Sequence, residues 1–119
     1  MTVADDLFNA IEKGDVDAIK GIYAPDAVIW HNNDEIEQDV AGNLRVLAWM
    51  GANFSERSYE DVRRTEFDGG FVQQHVLTLT KLDGTKVELP ACIVASVADG
   101  KITRIDEYLD SAHIARITG

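Results

Sequence analysis

Three Asp-Gly steps in the second half of the chain constrain its fold more than any other feature. Asp68-Gly69-Gly70, Asp83-Gly84 and Asp99-Gly100 each interrupt a run of strand-forming residues. Glycine takes positive φ freely and aspartate tolerates it, so such a pair closes the tight turn whose twist matches two antiparallel strands. The three turns cut the region into four strands, 57–67, 71–82, 86–98 and 101–109. Strands of this length must twist and curl, and one face of the resulting sheet needs a cover.

The first half of the chain supplies that cover. Thr2 and Asp5 form a capping pair for a helix that carries Leu7, Phe8 and Ile11 at helical spacing, and Gly14 ends it. Asp15 caps a second, short helix with Val16, Ile19, Ile22 and Tyr23 on its inner side, and Pro25 stops it. Ala27 to Asn32 reads as a strand on the strength of Val28, Ile29 and Trp30, and the polar stretch 33–38 reads as a loop. Asp39 caps a longer helix whose stripe is Val40, Leu44, Leu47, Ala48, Gly51 and Phe54. Asp110 or Ser111 caps a last helical turn through Ile117. The expected class is α+β: a curled antiparallel sheet wrapped over N-terminal helices, a cone-shaped α+β barrel. Its order is α-α-β-α-β-β-β-β with a short C-terminal helix, in one domain over residues 1–119. The mouth of such a cone is a natural pocket for a small molecule.

Charge and composition narrow the function. Eleven basic and 21 acidic residues leave a net charge of −10, which argues against nucleic acid and against anionic membrane surfaces. No apolar run approaches the roughly 20 residues of a membrane span, and the start lacks the apolar core of a signal peptide. A cytoplasmic protein is expected. The single cysteine, Cys92, excludes an internal disulfide and a thiolate zinc site, and among Ala91, Ile93 and Val94 it reads as an inert buried thiol. His31, His75 and His113 fall at no metal-ligand spacing, so no metal is expected. Phosphate-binding glycine loops and nucleophile elbows are absent from the sequence, and no cofactor is expected.

The order of elements, Trp30-His31-Asn32 at the end of the first strand, and Glu107-Tyr108-Leu109-Asp110 near the chain end together resemble the nuclear-transport-factor-2-like superfamily. Within it the likeness is to the SnoaL-like and ketosteroid-isomerase-like small proteins. In the related limonene-epoxide hydrolases a Tyr-x-Asn occupies the position of Trp30-His31-Asn32. An Arg-x-Asp stands where Gln73-Gln74-His75 lies, and an acid precedes Tyr where Glu107 precedes Tyr108. Asn32 and Glu107 match and the other positions do not, so the resemblance does not imply epoxide opening. The isomerases carry an acidic base near Asn32 and a second acid near Pro90, so steroid isomerisation is not implied either.

The resemblance places the Glu107 face of the last strand inside the cone, where an apolar surround would suit the carboxyl to proton transfer. The alternative is a rim residue paired with a surface cation. His75, between Gln73 and Leu77 on one face of its strand, is the second acid–base candidate; otherwise it is a core histidine with both nitrogens satisfied. Trp30 and Asn32 share a face, as an aromatic wall and an amide that holds a ligand oxygen or a water, or else as core and loop start. Gln73, Trp49, Phe54 and Tyr23 complete the expected lining. The functional expectation is a cofactor-independent acid/base enzyme, of isomerase, cyclase, dehydratase or hydrolase type, acting on a small apolar organic molecule. A non-catalytic ligand-binding or dimerisation module of the same fold is the alternative. A homodimer fits either.

Overall fold

A computed structural model describes residues 2–118. In chain order the elements are α1 (Val3–Lys13), α2 (Val16–Ile22), β1 (Tyr23–His31), β2 (Glu37–Gln38) and α3 (Val40–Asn53). They continue with β3 (Phe54–Phe67), β4 (Gly70–Lys81), β5 (Lys86–Ala98), β6 (Lys101–Leu109) and α4 (Ser111–Thr118).

The helix ends follow from their caps. Thr2 Oγ1 accepts from the Asp5 amide at 3.2 Å while Asp5 Oδ2 accepts from the Thr2 amide at 3.1 Å, a reciprocal capping box. Asp15 and Asp39 cap α2 and α3 by accepting from Ala18 (3.1 Å) and Gly42 (2.8 Å). Helix α2 ends at Ile22, before Pro25. Tyr23 already has extended backbone and opens β1, and Pro25 sits inside that strand where its pairing with β6 shifts register. A proline supplies no ladder donor, so it is tolerated at such an irregularity. Phe54 likewise leaves the helix stripe: its backbone is extended and it begins β3. The 33–38 stretch holds the two-residue strand β2, paired with β1 through Ile29 and Gln38.

The six strands form one curled sheet in the order β2-β1-β6-β5-β4-β3. Strands β3 to β6 are an antiparallel meander closed by the three Asp-Gly turns, with Gly69, Gly84 and Gly100 all at positive φ. Strand β1 pairs in parallel with β6, a pairing possible because α3 and the whole meander intervene as a crossover. Gly70 starts β4 so close to β5 that an added Cβ would lie 2.1 Å from the Ala95 carbonyl oxygen.

Helix α1 lies on the concave side, where Leu7, Phe8 and Ile11 meet Phe71, Ile93 and Ile105 in the main core. A second cluster of Phe54, Leu79, Val87 and Leu89 lies further along the cone. Strict alternation along β6 would put Ile102 on the side of Tyr108. Instead Ile102 is fully buried with Ile105, because Ile102 pairs with Val97 and Arg104 with Ser96, leaving Thr103 as an extra residue. This bulge reverses the side of every residue after it relative to those before. No helix among the described residues is long and apolar enough to cross a membrane.

Candidate functional site

The concave face encloses a cavity of about 300 Å³. Leu77, Ala91, Ile93 and Ile105 line its sheet side, Leu47 and Met50 reach in from α3, and Ile114 and Ile117 of α4 close over another side. The polar lining gathers at the β1–β6 end, as Tyr23, His31, Asp34, Asn43 and Glu107.

The parallel register explains how two of these groups meet. His31 and Glu107 are direct cross-strand partners. In a parallel pair such partners point to the same side, here inward with Ile29 and Ile105. His31 Nε2 lies 2.8 Å from Glu107 Oε1, and the two side chains are only 21% and 19% exposed. Burial pulls the His31 imidazole down, but the hydrogen bond and charge of Glu107, aided by the charge of Asp34, outweigh it and hold the imidazole above its usual value. Contact with Glu107 therefore favours the imidazolium form of His31.

The surrounding phenols and amides stay uncharged. Tyr23 donates to Asn43 Oδ1 at 2.8 Å, and Asn43 Nδ2 donates to Gln38 Oε1 at 3.4 Å. Burial first, and the Glu107 charge second, push the phenols of Tyr23 and Tyr59 well up, so both remain protonated donors. Tyr59 is fixed by its backbone amide, which donates to Glu12 Oε2 at 2.8 Å. Asp34 Oδ1 accepts from the Ile36 amide at 3.0 Å, closing a turn in which Glu35 takes a φ of 56°.

Of the residues singled out by sequence, Glu107 and Tyr23 line the cavity and six lie off it. His75 is buried under α1, its ring edge-on to Tyr59 (4.7 Å) and Phe8 (5.7 Å). Its Nδ1 is 2.9 Å from Gln73 Nε2, and its Nε2 has no hydrogen-bond partner among the described residues. Burial drives this imidazole below its usual value, against a weaker opposing pull from Glu107. Gln73 is fully buried and accepts from Arg64 at 3.3 Å, and Arg64 is also bonded to Asp5. Asn32 prolongs the β1–β6 ladder: its amide donates to the Glu107 carbonyl at 3.0 Å and its Oδ1 accepts from the Leu109 amide at 2.9 Å. Trp30 lies on the convex face against Tyr108, ring centroids 5.4 Å apart. Trp49 is 45% exposed and edge-on to Phe54, which belongs to the second cluster.

Sequence reasoning leaves His31, Asn33, Asp34, Gln38, Asn43 and Tyr59 out of the site. For His31 the signal is the alternation of Ala27, Ile29 and His31 on one face of β1. No group of His, Cys, Asp or Glu among the described residues is placed to hold a metal ion.

A curled sheet roofed by helices over an apolar cavity, with one ion pair at its polar end, defines an enzyme-like small-molecule pocket protein. Residues 4–105 match the SnoaL-like domain, and the chain belongs to that family. Three solved structures share the fold. A candidate polyketide cyclase from Xanthomonas campestris pv. campestris is 21% identical with a TM-score of 0.81, over 97% of this chain and 93% of that one. Wild-type IdmH, a candidate polyketide cyclase from Streptomyces antibioticus, is 20% identical with a TM-score of 0.79, over 98% and 96%. An LEH-like epoxide hydrolase from M. tuberculosis is 18% identical with a TM-score of 0.78, over 97% and 85%. No curated protein matches the sequence.

Proposed function

We propose that the protein is a cofactor-independent acid–base catalyst of cyclase type, acting on a small, largely apolar substrate with an enolisable carbonyl. The observation that carries this reading is the 2.8 Å His31–Glu107 pair at the polar end of an otherwise greasy cavity. The polyketide-cyclase names of its structural neighbours support the reaction type.

In this reading the Glu107 carboxylate takes a proton from the carbon beside a substrate carbonyl. The adjacent imidazolium of His31 offsets the negative charge of the enolate, and the neutral phenol of Tyr59 donates to its oxygen. The enolate carbon then attacks a second carbonyl of the same molecule. The new alkoxide takes the proton back from Glu107, so one C–H bond and the π bond of the second carbonyl are broken, one C–C bond and one O–H bond are formed, and no oxidant is needed. Leu77, Ile93, Ile114 and Ile117 hold the apolar body of the substrate and exclude water. Asn32, Gln73 and His75 have supporting roles, Asn32 by locking β1 to β6 beside the pair. The convex face, where half-exposed Tyr108 packs on Trp30, supports a homodimer.

The test needs no knowledge of the product. An aryl 1,3-diketone is incubated with the protein in deuterated buffer, and exchange of its activated hydrogens is followed by NMR. The wild type accelerates exchange over buffer, and Glu107→Gln lowers the protein-dependent rate about 10²–10⁴-fold. Equal rates for wild type and Glu107→Gln would overturn the reading. A probe that binds without any exchange would favour the non-catalytic module.

A further inference from the structure

The geometry points to a charge filter in this cavity: its substrate is uncharged at neutral pH, and Asp34 together with Glu107 turns anions away. This rests on the acid–base reading of the same site and names the class of molecule it accepts.

The cavity lining contains two carboxylates, Asp34 and Glu107, one histidine, and no lysine or arginine. His31 offsets one negative charge and leaves the other uncompensated. Four arginines on neighbouring elements are committed elsewhere, and Arg45 of α3 is exposed. Arg57 donates to the carbonyls of Ile11, Glu12 and Phe54. Arg64 is paired with Asp5, Arg104 with Glu37 and Asp106, and Arg116 donates to the Glu88 carbonyl. The N-terminus of α3, which could otherwise attract an anion, is capped by Asp39.

The remaining polar lining is neutral: the amides of Asn33, Gln38 and Asn43 and the phenols of Tyr23 and Tyr59. Such groups suit carbonyl and hydroxyl oxygens. A cationic ligand would be drawn to Glu107 and would occupy the carboxylate needed as base. An anionic ligand would face Glu107 inside and Asp34 on the exposed loop, where the Asx turn with the Ile36 amide fixes it. At an effective dielectric near that of a protein surface, one uncompensated like charge a few ångströms away weakens binding about 10- to 100-fold. Because Asp34 is exposed, its share of the filter is screened by salt.

Three probes on one aromatic frame test this: 2-naphthamide, 2-naphthoate and 2-naphthylmethylammonium, titrated calorimetrically into the whole chain at pH 7. The amide binds, and the naphthoate binds at least about 10-fold more weakly. That ratio shrinks in Asp34→Asn, and it shrinks with added sodium chloride in the wild type, a readout that does not depend on any variant folding. Naphthoate binding as tightly as the amide overturns the filter and leaves the proton-transfer reading standing. The ammonium probe binding tightest by more than 10-fold overturns the assignment of an uncharged substrate, as does failure of all three to bind. The expected order of affinities without hydrogen exchange in the diketone assay keeps the filter and removes the catalysis.

Discussion

His31 and His75 both feel the charge of Glu107, yet the fold puts them to opposite uses. His31 is hydrogen-bonded to the carboxylate and lies on the cavity wall, so it holds its proton more firmly than a free imidazole. His75 senses the same carboxylate only through space, and burial under α1 wins. Its direct partner is an amide. Arg64 donates to Gln73 Oε1, so Gln73 Nε2 must face His75 and donate to its Nδ1. That leaves the His75 proton on Nε2, a neutral tautomer dictated by a chain of contacts beginning at Asp5 on α1. The lesson is that contact, rather than proximity to charge, decides whether a histidine is held charged or neutral.

The largest expected effects separate the two histidines by function. In the diketone exchange assay, His31→Ala lowers the rate on the order of 10²-fold. His75→Gln retains most of the rate and instead lowers the urea midpoint. Equal losses of rate in the two variants would dissolve the distinction.

The pH dependence of stability sharpens it further. His31 has a folded-state pKa raised above the unfolded value of 6.5, so its contribution is full below about pH 6.5 and is lost as pH rises through the folded value. His75 has a lowered folded-state pKa, so its contribution is full above about pH 6.5 and is lost as pH falls through the folded value. Melting temperature plotted against pH therefore loses part of its slope above about pH 6.5 in His31→Ala and part of its slope below about pH 6.5 in His75→Leu. Histidine ring resonances give the direct check, with His31 titrating above 6.5 and His75 below it.

Smaller effects follow from the partners. Gln73→Leu leaves His75 Nδ1 without its donor and Arg64 with one acceptor fewer, at a cost of about 1–3 kcal/mol in chemical denaturation. On the convex face, Tyr108→Ala removes the edge-on contact with Trp30, worth about 0.5–1.5 kcal/mol, and leaves the exchange rate unchanged.

Much of the architecture was legible because its signals are local. Asp-Gly pairs encode hairpins within four residues, and Thr2, Asp15 and Asp39 encode helix starts within three. What escaped was encoded at a distance. Nothing near Trp30-His31-Asn32 announces that β1 runs parallel to β6, so the choice between its two faces rests on family likeness, which favours Trp30 and Asn32. The buried alternation of Ala27 and Ile29 would have pointed to His31. Only likeness puts Glu107 on the concave face, since each face of β6 mixes apolar and polar residues. Gln73 and His75 looked like pocket residues because buried polar groups are rare in strands. Their partners, Arg64 and the aromatic edges of Phe8 and Tyr59, come from elements that sequence spacing could not bring together.

The extra residue at Thr103 has an evolutionary reach beyond the local kink. Losing that one position would make Ile102 and Arg104 ordinary neighbours in the ladder, with Ile105 and Glu107 still facing inward and Asp106 and Tyr108 still facing outward. In a cone of this design a single codon can be gained or lost at the bulge while the reactive inventory downstream survives, whereas the same change with no bulge to absorb it would turn Glu107 to the outside.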